Sequence, residues 1–122
     1  MGEASTPRAV TIMATLLPGE VLSLASLISP TQGIASRVLA RTAAGNITLF
    51  AFDAGEELSE HTAPFDALVL TLEGSLTLTI GGRNVQTTPQ TIVLMPANVP
   101  HAVHATAAAR MLLIMLRAPT SA

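Results

Sequence analysis

The sequence predicts an all-β sandwich or barrel. Three observations carry that reading. From Ala35 onward the segments are short and rich in leucine or β-branched residues, turn signals separate them, and no helical periodicity runs between them. The chain has 122 residues, the size of one domain, since single cores run to about 100–150 residues. That length buries a core without a disulfide or zinc staple.

The elements follow in order. Ser36–Arg41 reads as a strand, closed by a turn at Ala44-Gly45-Asn46. Ile47–Phe52 is the next, with Phe50 and Phe52 on one face, and Asp53-Ala54-Gly55 breaks it. Phe65–Leu72 is a long apolar run ending at Glu73-Gly74. Ser75–Ile80 alternates, with Leu76, Leu78 and Ile80 on one face, and Gly81-Gly82 then supplies a hairpin turn. Gln90–Met95 ends at Pro96, Ala102–Ala105 is short, and Arg110–Leu116 is the last strand. Met95, Met111 and Met115 read as core filler. The barrel is expected over 35–117, after an N-terminal extension over 1–34 and before a C-terminal tail over 118–122. The apolar block Val10–Ile28 is broken by Pro18-Gly19-Glu20 and is too short on either side to span a membrane. Arg8 precedes the run Val10–Leu17, but Glu3 lies in the same flank and no convincing small-residue cleavage site follows, so a signal peptide is disfavoured. This block is expected to pack over the sheet or across a dimer partner, in a cytoplasmic protein. The short sheet edges lead to the expectation of a homodimer.

Composition excludes several classes of function. The absence of cysteine removes thiolate metal sites and cysteine nucleophiles. Six arginines, no lysine and eight acids leave a net charge of −2, with no basic footprint for nucleic acid. Phe50, Phe52 and Phe65 are the only aromatic residues of the Phe, Tyr and Trp types, too few for a base-stacking platform. Six of the eight acids (Asp53, Glu56, Glu57, Glu60, Asp66 and Glu73) fall between Arg41 and Arg83. They read as a solvated loop face rather than a cation-attracting rim.

Two stretches carry the chemistry. The first runs from Gly55 through His61, Ala63 and Ala67 to Gly74; the second is Pro96-Ala-Asn98-Val-Pro-His101-Ala-Val-His104. Together they resemble the two signature motifs of the cupin superfamily, which are Gly, five residues, His, any residue, His, three or four residues, Glu, six residues, Gly, and then Pro, any residue, Gly, two residues, His. Gly55, His61 and Gly74 fall in register with the first, and Pro96 and His101 with the second. The resemblance covers about Arg37–Leu116 and is similar to small single-domain bacterial cupins. It implies a cupin-type double-stranded β-helix, a jelly-roll barrel.

The departures set the functional expectation. In the family the motifs supply three His and one Glu to a divalent metal. Here the second His position is Ala63, the Glu position is Ala67, and Asn98 stands where the motif has Gly. Asn tolerates the left-handed conformation, so the turn is expected to survive. His61 and His101 remain as metal ligands without a carboxylate, and any divalent metal is expected at low occupancy, with no firm cofactor. Strand parity places His61, Ala63, Ala67, Val69 and Thr71 on the inner face, with His101 and Val103. Asp66 and His104 then point away, Asp66 as a turn-capping carboxylate.

The expected function is small-molecule binding in a barrel pocket formed by His61, Ala63, Ala67, Val69, His101 and Val103. One alternative is a metal-dependent oxygenase or isomerase with a reduced ligand set. Another is a metal-free acid–base isomerase or epimerase, with His61 as the catalytic base, oriented by Asp66.

Overall fold

The computed structural model of the chain describes residues 16–28 and 32–117. The signal-peptide reading of residues 8–17 thus falls mostly outside the described residues, and the C-terminal tail wholly so. Among the described residues nine strands follow one short 3-10 turn, Leu24–Ser26. They are β1 (Ile34–Thr42), β2 (Gly45–Phe52), β3 (Glu57–His61), β4 (Phe65–Glu73), β5 (Thr77–Ile80), β6 (Arg83–Gln86), β7 (Thr91–Met95), β8 (His101–His104) and β9 (Ala109–Arg117). They form two antiparallel sheets, one of order β1-β2-β9-β4-β7 and one of order β3-β8-β5-β6. Neighbours in a sheet are mostly distant in sequence, as a jelly roll requires.

Alternation decides what lies between the sheets. Along β4, Ala67, Val69 and Thr71 are buried, and along β5 Leu78 is buried. With Phe52, Leu76, Met95, Val103 and Met111 they form the inner core. Phe50 and Phe52 share a face, their ring centroids 6.0 Å apart. Met95 and Met111 are fully buried and Met115 packs against the same cluster, the filler role expected of them. Inside this core the Thr71 hydroxyl donates to Thr87 Oγ1 at 2.8 Å, and Thr87 Oγ1 accepts the Leu76 N–H, so both buried hydroxyls are satisfied.

A second, smaller core sits on the outer face of the five-stranded sheet. Leu27 and Ile28 from the N-terminal extension cover Leu39, Leu49 and Ala51. Arg37 and Arg110 strap this segment down by donating to the carbonyls of Leu27 and Ala25. The cover stops short of β7, an edge strand, where Ile92 and Leu94 stay 58% and 53% exposed. Among the described residues no helix is long and apolar enough to cross a membrane.

Two strands escape the sequence pattern. Glu57–His61 is mostly exposed along its length, and Arg83–Gln86 is the outer strand of its sheet, so neither shows the period-2 apolar signature. The β1–β2 turn also lies one residue earlier than expected, at Ala43-Ala44, because Thr42 pairs directly with Gly45. Gly81 and Gly82 both take positive φ, +58° and +82°, as a two-residue hairpin turn demands.

Candidate functional site

His61 and His101 are directly paired in register across β3 and β8. Their ring centroids are 4.4 Å apart, edge to face. His61 is exposed, whereas His101 is only 5% exposed. Ile80 on β5 pairs with His101 on its other side, and Arg83 on β6 pairs with Ile80, completing a row across the sheet.

Local irregularity makes the meeting possible. Between Leu58 and His61 the β3–β8 register shifts, so Ser59 and Glu60 together oppose Ala102. Simple alternation from Leu58, which packs on the core, would turn His61 outward. The bulge restores it to the inner face beside His101, the re-aiming that bulges commonly provide. On the other side, the turn Pro96–Val99 is bound to the segment after His61. Asn98 donates its N–H to the Ala63 carbonyl at 2.8 Å, and Ala97 donates to Asp66 Oδ1 at 2.9 Å. Asn98 holds φ +65°, the left-handed conformation expected of it.

The hydrogen bonds of the two rings fix their tautomers. His61 Nδ1 lies 2.8 Å from the Ser59 carbonyl, and His101 Nδ1 lies 3.0 Å from the Val99 carbonyl. A carbonyl oxygen only accepts, so each Nδ1 carries the proton and donates it. In the neutral ring Nε2 is then an acceptor with its lone pair free. Neither ring can satisfy the other, since both present acceptors. Among the described residues no hydrogen bond reaches Nε2 of His101, although the residue is buried.

The other sequence-derived candidates fall as follows. Ala63 is half-buried, and its carbonyl accepts the Asn98 N–H, while Ala67, Val69 and Val103 are buried in the inner core with Met95, Leu78 and Met111. His104 is half-buried and pairs with Glu57 and Thr77. Asp66 is exposed and occupied by Ala97 N–H, a turn-capping role. The expectation that Asp66 orients His61 is thus corrected: the Ser59 carbonyl holds that ring. Sequence reasoning missed the carbonyls of Ser59 and Val99, which leave no trace in residue type, and missed Ile80, whose place beside His101 depends on sheet order.

A resident divalent metal does not fit this donor set. Ala63 and Ala67 supply no donor, and no group of three His, Cys, Asp or Glu able to hold an ion occurs among the described residues. Two neutral imidazoles leave a +2 charge uncompensated and most coordination positions to water.

Comparison with known proteins gives the fold its family. The profile described as "Cupin domain" matches residues 48–116, more than half of the chain. The chain belongs to the cupin family. Among solved structures, a conserved protein of unknown function from Streptococcus pyogenes is 29% identical to this cupin, with 93% of this chain and 100% of that one covered and a TM-score of 0.81. A cupin superfamily protein from Desulfitobacterium hafniense is 32% identical over 84% of this cupin and 95% of its own chain, with a TM-score of 0.78. A Cupin 2 conserved barrel domain protein from Leptotrichia buccalis is 34% identical over 79% of this chain and 47% of its own, at 0.75. No curated protein matches this cupin by sequence.

Proposed function

We propose that this cupin binds a small molecule at the open end of its barrel, with His101 and His61 as the polar anchors. One observation carries the reading: a buried imidazole keeps an unpaired Nε2 next to a second, exposed imidazole. A buried acceptor without a partner costs about 1–3 kcal/mol. Such a free acceptor supports a role toward a molecule outside the chain, since stability given up at a binding site is a common cost of function. Ala63, where the family motif has a second imidazole, brings no donor or acceptor that would compete for it.

A thermal-shift screen of small alcohols, amines and polyols, run on the wild type, His101→Phe and His61→Ala, tests the proposal. Hits that stabilise the wild type and vanish in both variants support it. Hits that persist in both variants place binding elsewhere and refute it.

A further inference from the structure

We infer that the ligand of the His61–His101 pair meets it with hydrogen-bond donors: an alcohol or ammonium group on a small apolar body, not a carboxylate or phosphate. This deepens the small-molecule reading above and rests on it. The argument starts from the backbone. Each Nδ1 proton is already committed, to Ser59 O at 2.8 Å and to Val99 O at 3.0 Å. The neutral rings therefore offer lone pairs only. An O–H or N–H group completes them; an anion would bring lone pairs against lone pairs and lose its water with nothing in return. The ring centroids are 4.4 Å apart, so a group bound at one ring changes the surroundings of the other.

The surroundings agree. Ile80 borders His101 on the neighbouring strand with an apolar side chain. Glu60 precedes His61 within the bulge and is exposed. The Asp66 carboxylate is taken up by the Ala97 N–H. Arg83, the cation on the same sheet row, stands beyond Ile80 on the outer strand and is exposed. At the rings the free lone pairs decide the matter: a donor completes them and an anion does not.

Three probes that share one apolar ring separate the cases: cyclohexanol, cyclohexylammonium and cyclohexanecarboxylate. Each is titrated at pH 8, where imidazole in water is neutral, into the full chain labelled with 15N at histidine. The readout is the Nε2 and Cε1–H resonances of His61 and His101. The expected result is saturable movement of both rings with the alcohol and the ammonium, at affinities about tenfold or more above the carboxylate, since a site built for a hydrogen bond discriminates by at least that much. His101→Phe and the exposed-site variant His61→Phe should each abolish the response. Carboxylate binding at equal or greater affinity would overturn the inference while leaving small-molecule binding intact. No movement with any probe would overturn both.

Discussion

Gly74 closes the first motif, and replacing it with alanine separates two costs that a motif alone cannot distinguish. Its φ is +73°, a conformation that costs an L-residue about 1–2 kcal/mol. It also lies against the chain before β9: an added Cβ would fall inside contact distance of the Ala108 carbonyl and 3.0 Å from Ala109 Cα. Both neighbours are backbone and cannot swing away, so overpacking adds about 1–3 kcal/mol. Gly82 provides the control, with φ +82° and nothing within 4 Å of a built Cβ. Gly82→Ala is expected to cost about 1 kcal/mol, the conformational part alone. Gly74→Ala is expected to cost about 3 kcal/mol, on the order of 10 °C in Tm for a chain of 122 residues. Urea denaturation of the two variants measures the difference. Equal losses would show that the close approach of β9 to the end of β4 is not present in solution, and with it the packing argument at this corner would fall.

Other outcomes follow from the same geometry. Leu78, fully buried in the inner core, should lose about 2–5 kcal/mol on Leu78→Ala by urea denaturation. Asp66→Ala should cost about 0.5–1.5 kcal/mol through the lost Ala97 bond, partly recovered in Asp66→Asn, whose amide oxygen can still accept; equal stability of Asp66→Ala and wild type would remove that brace from the account. Elemental analysis of the untagged protein should find divalent metal well below one ion per chain. The double variant Ala63→His with Ala67→Glu should raise Zn2+ affinity by at least about tenfold in calorimetry, and an unchanged affinity would mean that these positions do not converge on His61 and His101.

Much of this architecture was legible in the residues because burial enforces alternation. Leu78 and Ile80, with Leu76 just before them, declared one face of β5, and Ala67, Val69 and Thr71 declared one face of β4. The strands β3 and β6 were not legible, since strands that lie largely in solvent carry no apolar period. The histidine pair was visible through the spacing of the two motifs, but the reason it meets was not. That depends on the Ser59–Glu60 bulge, and polar residues on an exposed strand do not advertise a bulge. Parity says which residues face inward, and only packing says that Val69 and Val103 are enclosed in the same core as Met95, Leu78 and Met111.

The central claim is that His101 and His61 share the inner face of their sheet and offer Nε2 as an acceptor, with both Nδ1 protons held by the backbone. The long-range 1H–15N correlation spectrum of the histidine-labelled free protein at pH 8 tests it most directly. The account predicts protonated Nδ1 and unprotonated Nε2 in both rings, and a His101 Nε2 that moves when a donor-bearing ligand is added. A proton on Nε2 of His101 in the free protein would contradict it.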